Sequence, residues 1–180
     1  YHIKRLLNGT NNITLNEDDV DELVLPQERK QGWQFTEQQK DGIKAIIHSN
    51  VVIIRGYGGT GKSSSVAGLL SCLDEEYSFV QCALSGKASV NLRDITGKNG
   101  STIHTLLGYN PEGGFKHTER DPLMTDMVIL DEASMVDIGL FLSLISAIRT
   151  GSKLVMLGDT NQLEAIGVGN VLMDLIDSEL

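Results

Sequence analysis

Eight residues, Gly56-Tyr57-Gly58-Gly59-Thr60-Gly61-Lys62-Ser63, have the spacing G-x-x-x-x-G-K-S and follow Val51-Val52-Ile53-Ile54, an apolar run of strand length. Glycines at these positions let the chain curl so that several backbone N–H groups face one point, where a Cβ would block the turn or hold an anion at a distance. Lys62 then reaches the distal phosphates. Ser63 carries a hydroxyl suited to Mg²⁺, and Ser64 continues the first turn of a helix whose dipole favours negative charge. Gly58, Gly59, Thr60, Gly61, Lys62, Ser63 and Ser64 are thus candidate ligands of a nucleoside triphosphate. The alternative is a Gly-rich surface turn, against which the strand before and the helical pattern after both argue.

A second apolar run, Met127-Val128-Ile129-Leu130, ends in Asp131-Glu132. Adjacent carboxylates at a strand end project differently, so Asp131 can hold Mg²⁺ while Glu132 polarises the water that attacks the γ-phosphate. A third run, Leu154-Val155-Met156-Leu157, leads into Gly158-Asp159-Thr160-Asn161-Gln162. There the neutral amide of Gln162 is placed to sense the γ-phosphate. The bland reading is that Gly158, Asp159 and Asn161 merely make a turn.

These groups need a frame. Residues 51–55, 79–83, 127–130 and 153–157 read as strands, and 61–73, 87–96, 101–107, 138–149 and 168–176 as helices. Another helix is expected between Phe35 and His48, with Thr36 as its N-cap. Strands apolar throughout suit a sheet covered on both faces, so the expected fold is α/β, a mostly parallel sheet flanked by helices with ligands at the carboxyl ends of its strands. Residues 1–30 hold the acidic run Glu17-Asp18-Asp19-Val20-Asp21-Glu22 and then Pro26, which reads as an N-terminal arm or the end of a preceding domain, ahead of a main domain over 31–180. Residues 109–122 lack a core pattern and are expected to form a mobile loop.

The chain has 180 residues, 41% of them hydrophobic, which is enough for one sizeable core. A net charge of -9 argues against a protein coated in positive charge, so any contact with nucleic acid must be local. Lys87, Arg93 and Lys98, close together in sequence, supply a candidate positive patch, and the hydroxyls of Ser85, Ser89, Ser101 and Thr102 suit contacts to phosphate rather than to bases. Aromatic residues make up 5%, too few for extensive base stacking. Cys72 and Cys82 lie in apolar surroundings without metal-type spacing and read as buried reduced thiols. No run approaches a membrane span and no secretory signal opens the chain, so a cytoplasmic protein is expected. A chain starting at Tyr1 and stopping directly after a helical pattern is expected to be a piece of a longer one.

The phosphate loop, Leu84-Ser85-Gly86-Lys87-Ala88-Ser89, Ser101-Thr102-Ile103-His104-Thr105-Leu106-Leu107-Gly108, Asp131-Glu132-Ala133-Ser134-Met135 and Gly158-Asp159-Thr160-Asn161-Gln162-Leu163 follow one another as in superfamily 1 DNA helicases. Over residues 35–176 the chain resembles the RecD and Dda branch, superfamily 1B, and in particular its first RecA-like P-loop NTPase domain. The resemblance implies ATP and Mg²⁺ as cofactors, with Lys62, Glu132 and Gln162 catalytic and Ser63 and Asp131 at the metal. It implies that Gln39, with Gln38 one register away, reads the adenine edge within Phe35-Thr36-Glu37-Gln38-Gln39. Ser85 and Lys87, then Thr102 and His104, would touch the backbone of single-stranded DNA, along which such motors move 5′ to 3′. Ser85 stands where relatives often carry Thr, and Tyr57 where small residues or Pro are common. The implied partners are a second RecA-like domain supplying an arginine finger, and replication or recombination proteins, in the nucleoid-bearing cytoplasm or in a host cytoplasm if the gene is viral. Two other readings stand beside this one. A P-loop kinase or GTPase would lack its N-K-x-D signature here, and a nucleotide-responsive DNA-binding or loading subunit would grip DNA without unwinding it.

Overall fold

The computed structural model describes residues 1–11, 13, 20–56, 62–73, 77–159 and 175; the side chains of residues 62–64, 71 and 72 lie outside that description. Its centre is a five-stranded sheet of β1 (Val51–Arg55), β2 (Phe79–Ala83), β3 (Gly100–Thr102), β6 (Met127–Asp131) and β7 (Lys153–Gly158), in the order β1-β7-β6-β2-β3. All of these pairings are parallel. The connections carry helices, as parallel crossovers require. These are α4 (Lys62–Leu73), α5 (Gly86–Thr96), α6 (Ile103–Leu106) and α7 (Ile138–Ala147), preceded in the chain by α1 (His2–Leu7), α2 (Val20–Gln31) and α3 (Glu37–His48). A two-stranded antiparallel hairpin, β4 (Tyr109–Asn110) with β5 (Gly114–Phe115), stands apart from the sheet.

The period-two geometry of the strands divides the core. Val128 and Leu130 of β6, with Leu154 and Met156 of β7, face a layer containing Leu6 of α1, Ile103 of α6 and Leu140 and Leu144 of α7. Met127 and Ile129, with Val155 and Leu157, face Val24 of α2, Ile43, Ile46 and Ile47 of α3, and Leu69 and Leu70 of α4. Because both faces of β6 and β7 are covered, their apolar runs are unbroken, and this is the reason those strands were legible. All six residues of β7 are buried.

Two expectations need correction. The segment expected to be a helix over 101–107 first pairs as β3, with Ser101 opposite Cys82, and only then makes the single turn of α6. The cause is Thr102, whose extended backbone and hydroxyl, accepting the N–H of Thr105, make it an N-cap rather than a helix interior residue. The expected loop at 109–122 contains the β4–β5 hairpin, turned by Gly114 at φ 75°. Among the described residues of the first thirty, Leu6, Val20 and Val24 are buried in the two core layers, and α2 runs through Pro26 with Asp21 and Glu22 exposed. The expected helix at 168–176 falls outside the described residues except Leu175.

Polar side chains tie the amino-terminal residues to the sheet. The Arg5 guanidinium donates to the carbonyls of Ile145 and Ile148, at 3.0 and 2.8 Å, where α7 ends without intrahelical partners for its last carbonyls. Asn50, just before β1, donates to the carbonyls of Leu6, Leu7 and Gly9. Among the described residues no helix is long and apolar enough to cross a membrane.

Lys153 opens β7 at 1% exposure and donates from Nζ to the carbonyls of Ile47 and Ser49, at 2.8 and 2.9 Å, closing the carboxyl end of α3. Burial pulls its pKa down from the ordinary lysine range to about 8. A neutral amine still has two N–H donors for these two carbonyls. The unfolded chain holds this proton to higher pH than the native state, so the native state gains stability as pH rises through about 8 toward the ordinary lysine range. The stability of the wild type relative to Lys153→Met should therefore widen by roughly 1–2 kcal/mol between pH 7.5 and 10 in urea titrations. A gap that stays constant over that interval would contradict the depressed pKa.

Candidate functional site

With the strands of the main sheet parallel, their carboxyl ends share one edge, and the registers put the motif-bearing residues in a row along it. Arg55 of β1 lies opposite Gly158 of β7; Asp131 of β6 lies opposite Ala83 of β2, which in turn lies opposite Thr102 of β3. Gly56, the first residue of the phosphate loop, donates its N–H to the Gly158 carbonyl at 3.4 Å. The loop's strand is thus separated from the carboxylate strand by β7 alone. Gly58, Gly59, Thr60, Gly61 and Gln162 lie outside the described residues. Lys62, Ser63 and Ser64 form the first turn of α4, and their side chains lie outside the description.

At the end of β6, Asp131 Oδ1 accepts the N–H of Glu132 at 2.8 Å. Glu132 itself adopts a left-handed backbone, φ 53° and ψ 38°, the one such conformation among the described non-glycine residues. L-residues adopt it at a cost of about 1–2 kcal/mol, and such outliers cluster at functional sites. Here the conformation ends β6 at Asp131 and leads the chain into the single turn of residues 133–135. Nothing in the dipeptide foretold it. Burial raises the Glu132 carboxyl above the usual carboxylate range, the charge of Asp131 pushes the same way, and Lys87 opposes them. Beneath the acids, burial pushes the Cys82 thiol up to about 12, with Asp131 adding to the effect, so Cys82 is a packed apolar residue with no reactive thiolate.

Ser85 caps α5, its hydroxyl accepting the N–H of Ala88 at 3.1 Å, and Lys87 is exposed in the first turn of that helix. Thr102 caps α6 and also shares a 2.9 Å contact with the Thr105 hydroxyl, which sequence reasoning passed over although the T-x-x-T spacing was visible. His104, exposed on α6, packs edge-on against Tyr109 at 5.6 Å, and Phe115 completes an aromatic trio with centroids 5.3–5.8 Å apart. The hairpin therefore gives His104 aromatic company that composition alone did not suggest.

The basic patch is a correction. Lys87 lies in the first turn of α5 and Lys98 just beyond its end, and the eleven residues of that helix span about 16 Å, so closeness in sequence does not gather them. Arg93 pairs with Asp94 at 3.3 Å, and Lys98 sits over the Phe79 ring at the start of β2, near the opposite edge of the sheet. Lys87 stays with the carboxylates. Gln39 stands at the amino end of α3 in a reciprocal capping box: Thr36 Oγ1 accepts the N–H of Gln39, and Gln39 Oε1 accepts the N–H of Thr36. Gln38 beside it is exposed.

The family model described as an AAA domain, AAA_19, matches residues 39–168. The chain is 36% identical over 158 residues to the ATP-dependent RecD2 DNA helicase of Deinococcus radiodurans, covering 86% of this chain and 21% of that protein. It is 28% identical over 203 residues to the RecBCD enzyme subunit RecD of Haemophilus influenzae, covering 97% and 31%. In fold it resembles the Pif1 helicase of Candida albicans, with a TM-score of 0.57 at 24% identity over 74% of this chain and 34% of that one. It also resembles the UvsW helicase of bacteriophage T4, with a TM-score of 0.61 at 14% identity over 84% and 62%. The chain spans about a fifth to a third of the length of these two curated relatives. A parallel sheet with its motifs aligned on the carboxyl edge, matched by this family model and these relatives, places the chain in the AAA domain family, as a RecD-like helicase motor domain of superfamily 1.

Proposed function

We propose that this domain binds ATP with Mg²⁺ at the carboxyl edge of the sheet, grips single-stranded DNA beside it, and hydrolyses ATP to move 5′ to 3′ as part of a larger helicase. The observation that carries this reading is the row formed by the ends of β1, β7, β6, β2 and β3, in which the phosphate-loop strand, the Asp131-Glu132 pair and the strands leading to Ser85 and Thr102 share one edge. On this reading residues 31–180 are the RecA-like unit, braced by residues 1–30, and the protein works in the cytoplasm.

The donors suit the cofactors. Asp131 offers hard carboxylate oxygens, one of them already oriented by the Glu132 N–H, which is the ligand type a small divalent cation takes. Asp131 and Ser63 would hold the Mg²⁺, which when bound neutralises charge on the phosphate oxygens. Gly58, Gly59, Thr60, Gly61, Lys62, Ser63 and Ser64 would cradle the phosphates, and Gln39, with Gln38 next to it, would face the adenine. Glu132 accepts a proton from the attacking water at its carboxylate, and its raised affinity for protons makes it a stronger base than a solvated glutamate. Gln162 would report the γ-phosphate. Ser85, Lys87, Thr102 and His104 would meet the DNA backbone, with Lys87 close enough to the acids for the strand and the nucleotide to influence one another's charge.

In the intact polypeptide, Glu132→Gln should bind ATP normally and lose about 10²–10⁴-fold in turnover, while Lys62→Ala should lose nucleotide binding itself. DNA-stimulated ATPase and fork-unwinding assays read both, and unwinding retained in both variants would refute the motor. A wild-type protein with full nucleotide affinity and no turnover would instead mark a loading subunit. The isolated 180-residue chain should hydrolyse ATP at least about 10³-fold more slowly than the intact protein, because the arginine finger belongs to a second domain. Equal rates in a side-by-side phosphate-release assay would show that the chain supplies its own.

A further inference from the structure

We propose that Glu28, Phe35 and Gly68 form a tether that fixes residues 36–39 against the phosphate-loop helix and so sets the selectivity for the nucleobase, an inference that rests on the adenine-facing role proposed for Gln39 and Gln38. Glu28 lies on α2 at 8% exposure, and its Oε1 accepts the N–H of Phe35 at 2.8 Å. Phe35, at 4% exposure, immediately precedes Thr36, the residue that starts α3 and closes the capping box with Gln39. Its ring meets Trp33 edge-on at 5.2 Å. The same ring covers Gly68 in the middle of α4: a Cβ at 68 would stand 2.3 Å from Phe35 Cζ and 2.9 Å from Cε1. Glycine inside a helix is disfavoured relative to alanine, and here the ring accounts for it. One short segment is therefore held from α2 by its backbone and from α4 by its side chain.

The geometry puts that segment at the nucleotide end of the sheet. The twelve residues of α3 extend about 18 Å and the five of β1 about 17 Å, and a two-residue link joins them. The helix therefore returns antiparallel to the strand and brings its amino end to the edge where β1 enters the phosphate loop. A base-reading amide must be held to a fraction of an ångström for paired hydrogen bonds to form. The phosphates are gripped by α4 and its loop, so the distance from α4 to the capping box determines whether triphosphate and base can be held together. Glu28 and Gly68 are positioning residues: neither needs to touch the nucleotide.

The test measures affinity of the intact polypeptide for ATP, CTP and inorganic tripolyphosphate, by competition against a fluorescent nucleotide. The wild type should prefer ATP to CTP. Glu28→Leu, which removes the acceptor, and Gly68→Ala, which displaces the ring, should each lower that preference by about fivefold or more while leaving tripolyphosphate affinity within about twofold. Glu28→Gln keeps an acceptor oxygen and should keep the preference. Where Glu28→Leu does not fold, as judged by thermal melting, Gly68→Ala carries the test from the opposite side. A preference that survives both disruptive variants, or an equal loss of ATP and tripolyphosphate, overturns the tether alone. A wild-type protein indifferent to the base overturns the reading of Gln39 and Gln38 and the tether with it.

Discussion

Parallel pairing is the constraint from which the rest follows. A parallel strand needs a covered face on each side, because its connections cross over as helices, and it sends its carboxyl end to the same edge as its neighbours. In this domain the first consequence divides the core between two helix layers, with Val128 and Leu130 facing one and Met127 and Ile129 the other. The second consequence collects chemistry. Residues far apart in sequence, such as Arg55, Asp131 and Thr102, end in one row along the same edge because every strand of the sheet runs the same way.

The two-layer requirement also explains the amino-terminal residues. α1 and α2 fill positions that would otherwise leave apolar surface of α7 and α4 in water, and Arg5 and Asn50 satisfy carbonyls at the helix ends. The acidic run preceding and opening α2 drew attention away from Leu6, Val20 and Val24, which do the packing. Charge density in a sequence reports the solvent side of a helix and is silent about the other side.

What could be read in the sequence was whatever depends on local pattern. The apolar runs of β1, β2, β6 and β7 gave their bounds to within about a residue, and Thr36 marked the start of α3 because a threonine followed three residues later by Gln39 is itself the capping box. β3 was missed because its three residues carry no alternation of their own and form a strand only through pairing with β2. The burial of Lys153 was invisible for the same reason, since it is set by neighbours distant in sequence, and the left-handed backbone of Glu132 has no signature in the residue types around it. The proposed basic patch failed because a helix converts nearness in sequence into distance along its axis. The Glu28 carboxylate, the Phe35 ring and Gly68 come from three separate segments, and no short motif records their meeting.

Hydrogen–deuterium exchange of the intact polypeptide with and without ATP and Mg²⁺ asks most directly whether the carboxyl edge is the nucleotide site. Protection should appear in peptides covering residues 36–39, 56–64 and 130–133 and be absent at the opposite edge, around residues 48–51 and 125–127. Protection confined to that opposite edge, or none at 56–64, would contradict the account.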